Sequence, residues 1–149
     1  MTIEMKAAAG SAIQTCVAHL RNLGDDATQA HWNVQGMAFG PLHKLFGKVY
    51  EEAYELRDEF AEFARALGVQ INVRAPVEPL TTPIDVLSPG DTCEAYTRLV
   101  LHALEALLVV MRVNAGIFND SGDLVTSDLF IKGASKLQHL VYLVKSQIP

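Results

Sequence analysis

Cysteine is scarce. Cys16 and Cys93 are the only two in 149 residues, and neither belongs to a CxxC or a Cys/His cluster. That argues against a disulfide framework or a structural zinc site. Basic charge is also in short supply: 12 Lys and Arg stand against 17 Asp and Glu, a formal net charge of −5. The basic excess of a nucleic-acid binder is therefore missing. The longest apolar run, around Leu104 to Val113, contains Glu105 and Arg112 and is too short to span a bilayer. The opening MTIEMKAAAGSA lacks the charge-then-apolar layout of a secretory signal, so a cytoplasmic protein with no membrane partner is expected. HExxH, GxSxG, Walker and dinucleotide glycine motifs do not occur, nor do the ExxH pairs of bundles with intra-chain metal sites. Repeats, low-complexity stretches and clear strand patterns are absent as well.

What remains is a chain that is half apolar and of a length suited to one domain, residues 1–149. So large an apolar share in a small subunit predicts burial against further copies of itself. Ile13, Cys16, Val17, Leu20, Leu23, Ala27, Ala30 and Val34 step by three and four, the pattern of one helix face. Gly36, Gly40 and Pro41 interrupt it, with Pro41 suited to the first turn of a second helix. That helix continues the rhythm through Leu42, Leu45, Phe46, Val49, Ala53, Leu56, Phe60, Phe63 and Leu67, and Gly68 marks its end. Pro76, Pro79, Pro83 and Pro89 forbid a long helix over residues 69–90. Within that crossover, TTPIDVLS predicts a short helix capped by Thr82 with Pro83 at its first position. A third long helix is expected from Asp91 or Thr92 to about Asn119. After an SGD turn, a fourth opens with Thr126 and Asp128. Two helices, one long crossover and two more helices is an all-α, four-helix-bundle topology of the ferritin-like kind.

Four side chains carry the candidate chemistry. His31 and His43 flank the short connection between the first two helices, so a hairpin brings both imidazoles together. Asp58 and Glu62 stand four residues apart on one face of the second helix. His43 and Asp58 are 15 residues apart. That separation is roughly 22 Å at the helical rise, whereas a metal–ligand bond spans about 2 Å. The histidines and carboxylates of one chain cannot share an ion. If two second helices cross antiparallel near Tyr50 and Glu51, each chain's histidines face its partner's carboxylates, and two identical sites form per dimer. From residues alone a solvated carboxylate pair, with Arg57 and Arg65 as partners, fits about as well as a ligand pair. His19, His102 and His139 read as surface or hydrogen-bonded core residues.

The segment from His31 to Gly68 closely resembles the Dps signature. The resemblance rests on His31-Trp32-Asn33-Val34, Gly36, Phe39, Leu42-His43, Phe46, Asp58, Glu62 and Leu67-Gly68, with GDLVTSDLF at 122–130 as a further match. It implies a ferritin-like fold whose short crossover helix lies at a twofold interface, in a hollow homododecamer. It also implies a ferroxidase centre built from His31 and His43 of one subunit with Asp58 and Glu62 of the next. Such a centre oxidises ferrous iron with peroxide or oxygen and stores the ferric product. Imidazole suits iron, and carboxylates favour the harder ferric ion. The resemblance places Trp32 beside the centre, as a radical trap or a plain packing residue, and Asp123 and Asp128 at a pore that admits iron, although a turn residue and an N-terminal helix charge account for the two acids about as well.

Three departures stand out. Many relatives carry an acidic residue where this chain has Gly47, which predicts weaker binding of a second ion. Lys132 brings a positive charge close to Asp128, and Tyr142 stands near a usual tryptophan position. No basic arm is present at either end, only Lys6 and Lys145, so direct DNA binding is not expected.

Overall fold

The computed structural model describes residues 1–149. The apolar steps of three and four become four helices: α1 (Ile3–Asn33), α2 (Phe39–Ala66), α3 (Cys93–Asp120) and α4 (Leu124–Lys145). Thr2 caps α1 by accepting the Met5 amide, and Asp123 caps α4 by accepting that of Thr126. The fourth helix thus opens two residues before Thr126, on an aspartate rather than on the threonine. Gly68, at φ +85°, ends α2 in the left-handed conformation expected of it.

α1 packs on α2 and α3 on α4 as two hairpins, joined by the long crossover. The crossover returns to the end where α1 meets α2. The Thr92 amide donates to the Gln35 carbonyl at 2.8 Å, and the Gln35 amide donates to Thr92 Oγ1 at 2.9 Å. α3 therefore starts beside the α1–α2 turn and runs parallel to α2. Phe60 from α2, Phe118 from α3 and Phe130 from α4 interlock in the core, edge-on at 5.3 Å and stacked at 5.6 Å. By length and composition α3 would suffice to cross a membrane, more than its central apolar run implied. Here Tyr96, Val100, Leu104, Leu107 and Met111 bury one of its faces in the bundle.

The short helix expected at TTPIDVLS does not form: residues 67–92 contain no helix. The crossover is instead a strap fastened along α1. Val69 packs on Gly10, and Asn72 exchanges hydrogen bonds with the Gln14 amide. Arg21 donates to the Val73 carbonyl at 2.6 Å, and Asp26 accepts the Ile84 amide at 2.9 Å. The Leu87 amide donates to the Tyr96 hydroxyl. Asp26 thus takes the Ile84 amide that a Thr82 cap would accept, and Tyr96 takes the Leu87 amide that a helix over 83–88 would give to the Pro83 carbonyl. A segment that short cannot offset helix nucleation unaided.

Candidate metal centre

His31 closes α1 and His43 sits in the second turn of α2, across a five-residue turn. That turn needs Gly36, whose φ is +138° and where a Cβ would lie 2.5 Å from Asp91 Oδ1. The two imidazoles stack with centroids 3.7 Å apart and planes 16° from parallel. Each is fixed by the other's backbone. His43 Nδ1 donates to the His31 carbonyl at 2.8 Å, and His31 Nδ1 to the His43 carbonyl. A carbonyl oxygen only accepts, so Nδ1 of each ring carries a proton, and in the neutral imidazole Nε2 keeps its lone pair. That is the tautomer a metal ligand requires, set by the backbone contact that usually orients ligating histidines. Phe39 stacks on the outer face of His43 at 5.0 Å, and Tyr50 meets His31 edge-on at 5.2 Å.

The carboxylates stand at the far end of the same helix. Asp58 is exposed, with Arg57 Nε 3.7 Å away, and Glu62 is exposed and has no ion-pair partner. No three His, Cys, Asp or Glu side chains of the single chain gather as a cation site. The structure therefore brings His31 and His43 together and leaves Asp58 and Glu62 apart from them. Phe39, His43, Gly47, Tyr50, Tyr54, Asp58 and Glu62 follow one another at steps of three and four, so one face of α2 carries imidazoles, aromatics and carboxylates in order. Midway, the Tyr54 hydroxyl donates to Asp25 Oδ1 at 2.8 Å, and Arg57 lies over its ring at 4.8 Å. Burial, then the hydrogen bond to Asp25, pushes the Tyr54 phenol above its ordinary pKa.

Other expected residues fall elsewhere. Trp32 is 71% exposed and lines a shallow groove with Asp25, Thr28, Gln29 and Ile84; the rings that meet the histidines are Phe39 and Tyr50. Those two walls were missed in the sequence, although the 39, 43, 50 spacing on one helix face could have revealed them. Asp123 is buried as the α4 cap. Its second carboxylate oxygen and the Thr126 hydroxyl have no hydrogen-bond partner. Asp128 is exposed and pairs with Lys132 at 3.1 Å. Tyr142 is exposed.

The model of the ferritin-like domain family matches residues 11–148. The chain is similar to DNA protection during starvation protein 2 of Bacillus anthracis, 27% identical over 121 residues, which is 78% of this chain and 80% of that one. With the DNA protection during starvation protein of Halobacterium salinarum it shares 39% identity over 110 residues, 72% of this chain and 60% of the relative. Among solved structures, Dps from Microbacterium arborescens in the high iron form matches with a TM-score of 0.86 at 23% identity. That match covers 99% of this chain and 96% of the other, and the likeness establishes the fold.

Proposed function

Since the chain belongs to the ferritin-like domain family, as a Dps member, we propose that it binds ferrous iron between subunits, oxidises it and retains the ferric product. The observation that carries this reading is the interlocked histidine pair, two imidazoles with free Nε2 atoms on the α2 face that ends in Asp58 and Glu62. An antiparallel α2–α2 contact about a twofold axis near Tyr50 and Glu51 would set His31 and His43 of one subunit against Asp58 and Glu62 of its partner. Iron is substrate and cargo here. Two ferrous ions each give one electron, and hydrogen peroxide accepts both and leaves as two waters once two protons are added. No hydroxyl radical is released. The imidazoles hold the ferrous ion, and the carboxylates stabilise the ferric charge that develops. The high iron form of the Microbacterium arborescens fold-mate supports iron as cargo.

The shell in this reading is a homododecamer built from twofold dimers. Exposed apolar side chains support close packing among copies: Val109, Val113 and Ile117 along α3, and Leu124 and Val125 at the start of α4. Asp128 marks the route by which iron enters, partly neutralised by Lys132, while Asp123 holds the helix end that carries it. Trp32, beside His31 in the chain, has the radical-intercepting role. Cytoplasmic location and the absence of direct DNA binding complete the reading.

A second reading has observations of its own. Gly47 supplies no carboxylate, and the Lys132 ion pair occupies Asp128. Both favour a structural or nucleoid-associated shell with little ferroxidase activity. Anaerobic protein given ferrous iron and then peroxide decides between them. The ferroxidase reading expects both reactants to be consumed and iron retained in a large particle. Oxidation no faster than in buffer by an intact assembly would select the structural shell. A His31→Ala, Asp58→Ala double variant that oxidises at the wild-type rate would remove these residues from the site.

A further inference from the structure

Gly47 stands one helical turn after His43 on the α2 face that carries the site. A Cβ built there would lie 3.2 Å from both Cε1 and Nδ1 of His31, tighter than ordinary van der Waals contact. Three contacts hold the ring where it lies. Its Nδ1 is tied to the His43 carbonyl, one face stacks on His43, and Tyr50 bounds it edge-on at 5.2 Å. Movement by even a few tenths of an ångström would loosen a hydrogen bond that sets the tautomer. Glycine also weakens the middle of a helix relative to alanine. Nothing about α2 as a helix calls for it there, since its backbone lies in the ordinary helical region.

We propose that Gly47 is a positioning residue for His31: its missing side chain makes the space in which the ring lies against α2, stacked on His43. The carboxylate that many relatives carry at this position would therefore meet the His31 ring as it lies in this chain. This inference deepens the iron reading and rests on it for its functional meaning, but its geometric content is independent of any metal.

Two substitutions in the assembled protein separate these explanations. Gly47→Ala adds only the Cβ, and Gly47→Asp adds the carboxylate. Crystal structures of the metal-free variants should show the His31 and His43 rings parted from their 3.7 Å stack. Titration with Co(II), a spectroscopic stand-in for ferrous iron, should show affinity down about tenfold or more in both, the usual scale for disturbing the groups that orient a ligand. The melting temperature should hold or rise, since alanine replaces glycine within a helix. A merely structural role would move these readouts together, with stability falling. Rings still stacked and Co(II) affinity unchanged in Gly47→Ala would overturn the proposal, as would Gly47→Asp binding Co(II) more tightly than wild type. Wild-type protein that takes up no Co(II) would sink the iron reading instead, and the ring separation would still decide the role of Gly47.

Discussion

His31 and His43 lock one another in place, each Nδ1 donating to the backbone carbonyl of the other while their rings stack 3.7 Å apart. Neither ring is oriented by a separate carboxylate, so each histidine serves as the orienting group of its neighbour. His43→Ala therefore removes one potential ligand and also frees the His31 ring. Metal affinity should fall about 10- to 100-fold for either single alanine variant. The double variant should cost less than the sum of the two. Calorimetric titration of both singles and the double checks this, and additive losses would mean the lock does not matter.

Acidification should weaken the fold through His19. This histidine is 6% exposed and lines a cavity of about 330 Å³ with Arg21, Asp25 and Asp26, beneath the crossover. Burial lowers its pKa, so the folded state favours the neutral ring. Its contribution is complete above the ordinary histidine value of 6.5 and is lost as pH falls through that value toward the lower folded pKa. Asp26 acts in the opposite sense. Burial first, and then the charge of Asp25, raise its pKa against the pull of the Ile84 amide, so its cost is felt above that raised value and vanishes at still lower pH. Melting temperature should drop between about pH 7 and 5. His19→Leu should flatten that slope, and an unchanged slope would contradict the assignment.

The two thiols should behave differently. Cys16 is fully buried among core side chains, and desolvation pushes its pKa up to about 12. Cys93 is half-buried at the start of α3, its Sγ donating to the Gln35 carbonyl at 3.5 Å. A thiol reagent at neutral pH should label Cys93 alone in the native protein and both cysteines in denaturant, because reaction requires access and thiolate character. Native labelling of Cys16, read by peptide mass, would show that the α1 face opens.

How far the sequence reveals this molecule depends on the range of the forces involved. Steps of three and four apolar residues report a helix face directly, so Ile13 to Val34 and Leu42 to Leu67 mark α1 and α2 without tertiary information. The meeting of His31 and His43 was legible for the same reason, since a short turn leaves two helix ends no other place to go. The crossover was not. Its residues obey local helix signals, Thr82 before Pro83, yet Asp26, 58 residues away from Ile84 in the chain, takes the amide that a Thr82 cap would use. The resemblance puts Asp123 at the iron-entry pore, while the burial of its carboxylate as the α4 cap depends on packing that spacing does not encode. The role of Gly47 likewise needed the position of a ring on another helix.

Direct DNA binding should be absent at physiological salt. The chain carries a net charge of −5, so an excess of lysines and arginines for phosphate contacts is missing. Without such contacts the release of counterions from the phosphate backbone contributes little. Electrophoresis of plasmid DNA with the assembled protein at neutral pH, without divalent metal, should show an unshifted band. A retarded band would mean that some surface overcomes the net negative charge.

The sharing of a site between subunits is tested most directly by mixing two inactive proteins. One carries His31→Ala with His43→Ala, the other Asp58→Ala with Glu62→Ala, and the two are unfolded and reassembled together. If donors come from opposite sides of a twofold axis, each mixed dimer regains one intact site, and random pairing restores about a quarter of wild-type ferrous oxidation. If the mixed assemblies form and stay as inactive as their parents, the histidines and carboxylates do not meet across that interface.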